Sequence, residues 1–600
     1  MRPTPIRYII LGLTTLVAVM LYVDRFCLGY VAPYIRENLG LTPQQMGFVL
    51  DAFFYTYAFG QVPCGWLSDR FGSRLMLTLY LAIWSSLTGL MGLAHGMTAL
   101  LVFRLGCGLF EAGAYPACAG LIRRWVPYDQ RGLASGVVSI GGRVGGTIVP
   151  GLTSYLMMSF VPVSAPSQFT AQDLLDIPRL VAGLAARDRG WPPEGPSLRD
   201  IVGPRLKWEM TQRSRWLVER LAGDVKVQLK DLASETPDAS EDQLMNQVHI
   251  TLTAEETATL VAGLNHLLEQ PGLVRIEELE SHRNKVHAEA LRLTRSLETQ
   301  PLPHSMTERV RRNRLLLEAI FPESLRKIYG EGWRSAILIY GGAGLLLAVL
   351  FWAFVRDGPR RHPLANTAEA QLIEASEPPA LAGAAAIPVA ELWEGILTSR
   401  SLWLSALVQF GTNFGWIFLG NLFPTYLVEA HQVPEDSRGW MVTLPFMVSL
   451  PMLIVGGWWT DWMTRRLGAR WGRSLPLALT RLVAAAAFLS CLLLDAPWPI
   501  TIALCVFSLT SDMGLPSVWA FCLDVGRQNV GLILGWGNMW GNLGAAVSTT
   551  SLIFIRSCFP GPTGWHMVFL TCAVVFVLIG VASFGIDATQ AIAARPSASK

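Results

Sequence analysis

Charge is scarce in this chain. Only 16% of its 600 residues are Asp, Glu, Lys or Arg, against about 25% in an ordinary soluble chain. Hydrophobic residues make up 51% and mean hydropathy is +0.37. This excludes a water-soluble body and implies a polytopic membrane protein. No cleavable leader is expected either: Met1–Arg7 carries two arginines and runs into an apolar stretch too long for a signal h-region. Metal-ligand spacing is absent. All nine cysteines (Cys27, Cys64, Cys107, Cys118, Cys491, Cys505, Cys522, Cys558 and Cys572) lie in or beside apolar segments and read as small packing residues. His249, His266, His282, His287 and His304 are spaced by 16–17 and 5 residues, which matches no ligand pattern. No nucleophile–base motif stands out. Enzyme activity, a bound cofactor, a metal and a nucleic-acid partner are therefore not expected.

Long apolar runs are abundant. Runs of the ~20 residues that cross ~30 Å of hydrocarbon fall at 8–31, 45–67, 75–95, 97–120, 132–160 and 334–355, then at 402–428, 439–459, 475–494, 499–521, 530–555 and 563–586. That predicts twelve spans in an all-α membrane protein. Between the fifth and sixth lies a polar stretch, 163–331. It holds 47 of the chain's 93 acidic and basic residues and reads as a separate, mostly helical soluble insert. The expected organisation is spans one to five over 1–162, the insert over 163–331, span six over 332–356, a linker over 357–400 and six more spans over 401–600. Arginines crowd one set of short loops (Arg70, Arg74, Arg123, Arg124, Arg465 and Arg466 among them), whereas the opposite set carries only Arg36, Arg438 and Arg556. By the positive-inside rule both termini are cytoplasmic, the insert is extracytoplasmic, and the plasma (inner) membrane is the expected location. Charged loops after the second and eighth spans, Gly65–Arg74 and Gly456–Arg470, echo each other and indicate duplicated six-helix halves.

Several motifs carry a resemblance. Gly65-x-Leu67-x-Asp69-Arg70-x-Gly72-x-Arg74 is similar to the loop signature of the major facilitator superfamily. Tyr22-x-Asp24-Arg25, Phe53-Phe54-x-x-Tyr57-x-x-Gly60-Gln61, and Arg104-x-x-x-Gly108-x-x-Glu111-Ala112-Gly113-x-Tyr115-Pro116 narrow it. So do Pro424-Thr425-Tyr426-Leu427 and Asn538-x-x-x-Asn542-x-Gly544. Together they resemble the anion:cation symporter family of sugar-acid, phthalate and sialin-type carriers, over everything except the insert. The resemblance implies a major facilitator fold and proton-coupled symport of a small organic anion such as galactonate, glucarate or a hexuronate, by a monomer in the lipid bilayer. Two other readings stay open. One is an organic-anion or organophosphate antiporter. The other is a transporter-like sensor whose insert binds a ligand or an extracytoplasmic partner.

Charges at bilayer depth are costly, about 2.5–3.5 kcal/mol each on insertion scales, so those present point to a site. Helical rise places Asp24 and Arg104 at similar depth, which permits a pair between them that opens when Asp24 is protonated. Glu111, seven residues along the same face as Arg104, is a second proton stop. The resemblance implies coupling roles for Asp24, Arg104 and Glu111. Arg25 points about 100° away from Asp24, and its permanent cationic fork suits a carboxylate; the resemblance implies that it grips the substrate. Tyr22 and Tyr57 match cavity-lining aromatic positions, and Asn538 and Trp519 occupy comparable places in the second half. Arg143 departs from the family pattern. Set among Gly141, Gly142, Gly145 and Gly146, it is either a second cavity cation favouring a dianion or a structural arginine that pairs with Glu111 or snorkels. Asp51 and Arg481 are expected to snorkel, and Asp512 either pairs with Arg481 or faces the cavity. In the loop, Gly65, Asp69, Arg70, Gly72 and Arg74 are read as a cytoplasmic latch. There Asp69 caps a neighbouring helix, while Arg70 and Arg74 pair with acidic residues or lipid headgroups.

Overall fold

The computed structural model describes residues 2–160, 168–185, 198–236, 244–270, 306–321, 324–327, 330, 332–376, 389–433, 435–559 and 561–590. His282, His287 and His304 lie outside these residues. The chain divides into two compact units, Met1–Thr153 with Ala336–Lys600, and Ser154–Ser335.

The first unit is helical throughout. Its first half comprises α1 (Ile6–Leu39), α2 (Pro43–Phe71), α3 (Ser73–Met91), α4 (Met97–Glu111), α5 (Ala114–Trp125) and most of α6 (Arg131–Ser159). Local chemistry sets the joints. Gly40 closes α1 in the left-handed conformation, its N–H bonded to Arg36. Thr42 and Gln45 then cap α2 reciprocally, with Pro43 in the first turn. Gly72, at φ 95°, ends α2 in a conformation that strongly favours glycine. The expected fourth span is broken between α4 and α5, directly after Glu111.

The second unit holds α7 (Ile177–Leu184), α8 (Leu198–Glu209), α9 (Gln212–Glu235), α10 (Ala254–Glu269) and α11 (Met306–Ile320). Leu180, Leu206, Val218, Leu264, Leu268 and Leu317 build its own core, each 0% exposed. Thr253 and Glu256 cap α10 as a reciprocal box. Two asparagine amides in this unit, Asn265 and Asn313, each clamp a backbone segment. Asn265 exchanges two bonds with Phe169, and Asn313 donates to the carbonyls of Leu268 and Gln270. The buried Arg314 bridges Asp173 and Glu318 at 3.2 and 2.8 Å.

Back in the first unit, α12 (Trp333–Phe354) completes the first half. The linker contains α13 (Thr367–Ala375) and α14 (Val389–Thr398). The second half has α15 (Arg400–Ile417), a π-helical turn at Phe418–Leu422, α16 (Phe423–Glu429), α17 (Glu435–Ser449), α18 (Met452–Ser490), α19 (Pro497–Gly526), α20 (Val530–Cys558) and α21 (Pro562–Ser583).

Among the described residues, nine segments are long and apolar enough to cross a membrane. Two of these, Ser437–Leu493 and Pro497–Cys558, each contain a reversal, at Gly468 (φ 76°) and Arg527 (φ 49°). α2 falls outside the nine; its tyrosines, glutamines and glycines dilute its hydropathy. The outer faces are greasy: Leu346, Val349, Ile502, Phe554, Leu578 and Val581 are all more than half exposed. Polar groups turn inward instead. That inversion suits a helical body solvated by lipid, where the backbone must satisfy itself.

Candidate functional site: a charged cavity between two helical halves

A cavity of about 220 Å³ opens between the two halves of the membrane body. That is below the range of about 300–1,000 Å³ for drug-sized ligands, so it suits a small molecule. Tyr22, Arg25, Tyr57, Arg143, Trp519 and Asn538, the six residues expected at a substrate site, all line it.

Arg25 anchors the first-half wall. Its guanidinium lies 4.2 Å from the Tyr57 ring centre, 5.0 Å from that of Tyr22 and 5.2 Å from that of Phe53. Both Nε and Nη2 donate to Glu111 Oε2 at 3.3 Å. The expected pairing of Asp24 with Arg104 is not formed. Asp24 Oδ2 instead accepts the indole N–H of Trp84 at 2.9 Å, and Arg104 Nη2 donates to the backbone carbonyl of Arg25 at 3.0 Å. Arg104 also lies 4.4 Å over the Phe53 ring. Equal depth along two helices left the azimuth of each side chain open, and neighbouring helices decided it. The buried ion pair is therefore Arg25–Glu111, with Glu111 Oε1, Asp24 Oδ1 and two Arg104 nitrogens left unbonded among the described residues.

Arg143 also differs from both structural expectations. It neither reaches Glu111 nor snorkels, but crosses to the second half and pairs with Asp512 at 2.8 Å. Its guanidinium stacks 4.3 Å over Trp416. Beside it, Gly142 leaves room for Tyr22 and Tyr115, since a Cβ there would collide with the Tyr22 ring and the Tyr115 hydroxyl. Arg481 does not snorkel either. It is 1% exposed, lines the cavity, and donates to the Ser511 carbonyl at 3.0 Å. Trp519 stands edge-on to Tyr115 at 5.1 Å, and Asn538 donates across the halves to Gln61 at 3.4 Å. Asp51, in the third turn of α2, is exposed.

The sequence reading missed one stripe of the lining. Gln409, Thr412, Asn413 and Trp416 of α15 all face the cavity. Their spacing of three and four residues is that of one helical face, and this polar run inside an apolar segment was the signal available.

At one end of the body the halves interlock twice. Asp69 accepts the N–H groups of Gly531 and Leu532 at 2.9 and 2.8 Å, at the start of α20. Asp461 does the same for Gly132 and Leu133 at the start of α6, again at 2.9 and 2.8 Å. Each carboxylate satisfies orphan donors at a positive helix end. Glycines permit the approach, since a Cβ on Gly65 would collide with the Gly531 carbonyl and one on Gly457 with that of Gly132. Of the two partners expected for Arg70 and Arg74, acidic residues or lipid headgroups, no acidic side chain forms an ion pair with either among the described residues. Arg74 stacks 3.8 Å over Trp352 and donates to its carbonyl, while Arg70 lies 5.5 Å from the Trp66 ring. Asp357, close by, is held by Arg124 and by the Arg74 backbone N–H. His249 and His266 are in place, and no cluster of three metal-ligating residues occurs among the described residues.

Fold and site together define a multi-pass helical membrane protein with a small charged cavity at the junction of two halves. The profile of the Major Facilitator Superfamily matches residues 14–166 and 326–549, well over half of the chain. The chain belongs to that superfamily. Among curated relatives it is similar to a probable sulfoacetate transporter, SauU, of Cupriavidus necator, with 39% identity over 24% of this chain and 34% of the relative. It is also 35% identical to the D-galactonate transporter of Escherichia coli O6:H1 over 24% of this chain and 34% of that one. A probable galactarate/D-glucarate transporter, GudP, of Pseudomonas putida is 33% identical over 23% and 31%. The matched stretch thus spans about a third of each relative's length. Among solved structures, FucP in its outward conformation covers 97% of this chain and 99% of its own, at TM-score 0.54 and 13% identity. The human organic anion transporter MFSD10 covers 97% and 100%, at TM-score 0.51 and 11% identity. Both likenesses concern the fold alone.

Proposed function

We propose that the protein is a proton-coupled symporter of a small organic anion, working by alternating access of its two halves. The observation that carries this is the Arg25–Glu111 pair, buried under three aromatic rings at the edge of the cavity. An arginine keeps its charge at every relevant pH, so Glu111 is the member that can change. With Glu111 ionised, Arg25 is occupied. A proton on Glu111 removes its charge and leaves the guanidinium fork to a substrate carboxylate, so that proton and anion enter together. Asp24, one residue away and held by Trp84, supplies a second protonatable group at the same depth. Relatives whose names print sulfoacetate, galactonate and galactarate/glucarate support an organic acid as cargo.

On this reading α2 and the two interrupted segments bring the crossings to twelve. Arginine-rich loops face the cytoplasm with both termini, the insert faces outward, and the plasma membrane is the site of action. The Asp69 and Asp461 contacts then form a cytoplasmic latch, closed while the cavity serves the outer side. Uptake into proteoliposomes tests the proposal. Labelled galactonate, galactarate and sulfoacetate are supplied with an imposed pH gradient and with a protonophore control. The reading requires accumulation of at least one acid that collapses with the protonophore. Accumulation of none would sink it.

A further inference from the structure

The carrier reading uses one cation, Arg25, yet the cavity contains three. Arg143, from the first half, and Arg481, from the second, line it as well, with a single carboxylate, Asp512, among the lining residues. This group is built rather than incidental. Arg481 is 1% exposed and, among the described residues, donates from Nη1 alone and finds no partner for Nε. Asp512 is equally buried, with Oδ1 on Arg143 and Oδ2 without a partner among the described residues. Ser511 is held between Arg481 and the indole N–H of Trp416, and Trp416 also supports Arg143 from below the guanidinium plane. Counting Arg25, Arg143 and Arg481 against Glu111 and Asp512, with Arg104 and Asp24 behind them offsetting each other, leaves one positive charge in excess beside the cavity. When the proton required by the carrier reading sits on Glu111, that excess becomes two. Buried charge without compensation is strongly unfavourable, so the protonated site is matched by two negative charges.

We propose that Arg143 and Arg481 form a second anion subsite and that the substrate is a dianion, a small acid with an acidic group at each end. One group meets Arg25 and the other displaces Asp512 from Arg143. This deepens the symporter reading and rests on it. Asp512 occupies Arg143 while the subsite lacks its anion, which makes it a competitor for the same cation. The partnered end of the substrate gains charge-assisted, bidentate bonds, whereas a hydroxyl at that position would leave the subsite cations short of an anion.

The experiment compares two acids of equal length. Galactarate carries a carboxylate at both ends, and galactonate replaces one with a hydroxymethyl group. Binding to the full-length protein in nanodiscs is measured by titration calorimetry at one pH, with thermal unfolding as the check on folding. Galactarate is expected to bind about 10-fold more tightly or better, the discrimination that one charge-assisted contact gives. Arg143→Gln is expected to cut that ratio to about 3-fold or less. Asp512→Asn, which removes the competitor, is expected to tighten galactarate several-fold; a merely structural pair would lose affinity instead. Equal binding of both acids to the unaltered protein, or weakening of galactarate by Asp512→Asn, overturns the subsite while leaving the carrier intact. Binding of neither acid, nor of sulfoacetate, overturns the carrier reading and the subsite with it. If Arg143→Gln does not fold, the unaltered protein and Asp512→Asn decide the matter.

Discussion

Asp69 in the first half and Asp461 in the second each accept the same pair of N–H bonds at the start of a helix from the opposite half. Their support differs. Asp461 is also bonded by Arg473 at 3.1 Å, a fully buried arginine that holds Asp524 at 2.9 Å as well. Among the described residues no guanidinium lies within ion-pair distance of Asp69. The cavity walls diverge further. The first half brings the Arg25–Glu111 pair with Asp24 and Arg104 close behind, whereas α15 and α20 bring the uncharged Gln409, Thr412, Asn413, Asn538 and Asn542. Interlocking needs only a carboxylate, a helix end and glycine clearance, so both halves keep it. Proton and ion handling needs coupled charges in one place, and the first half holds most of them. Only Arg481 and Asp512 bring charge to the second wall.

Substitutions in matched positions would break or sharpen this contrast. The largest effect is expected from Arg25→Ala, which should weaken binding of the transported acid by about 100-fold, the loss of a buried charge-assisted pair. Asn538→Ala should cost only about 10-fold or less, the value of a neutral bond. Equal losses in a binding titration would mean that the halves share the anion's charge. Next comes coupling. Glu111→Gln should abolish accumulation driven by a pH gradient yet retain exchange of labelled for unlabelled substrate. Persistent proton-driven accumulation in that variant would move the coupling site elsewhere. Asp24→Asn should retain binding, because an amide oxygen still accepts from Trp84, and should also lose coupling. The smallest effects concern the latches. Asp461→Ala leaves the buried Arg473 short of one partner and should destabilise by about 3 kcal/mol; Asp69→Ala loses capping alone, about 1–2 kcal/mol. Thermal unfolding of both variants checks the order, and a reversed order would show that Arg473 does not need Asp461.

The cavity residues were legible to different degrees for physical reasons. Arg25, Arg143 and Asp512 stood out because any charge within an apolar run is conspicuous. Tyr22, Tyr57, Trp519 and Asn538 came from motif resemblance. Gln409, Thr412 and Asn413 were overlooked, since amides and hydroxyls raise little alarm in a hydropathy profile even at helical spacing. Partnerships were less legible still. Asp24 took Trp84 in place of Arg104, Arg104 took the backbone of Arg25, and Arg143 reached Asp512 on a helix more than 350 residues away.

By itself the sequence determined that the chain is a membrane body of two similar halves with charges at bilayer depth. Hydropathy, loop charge and helical periodicity are local properties, written within twenty or thirty residues. Tertiary structure alone decided which charge meets which. A side chain's partner depends on its azimuth and on helices from distant parts of the chain, and in a low-dielectric interior the nearest well-aimed donor prevails.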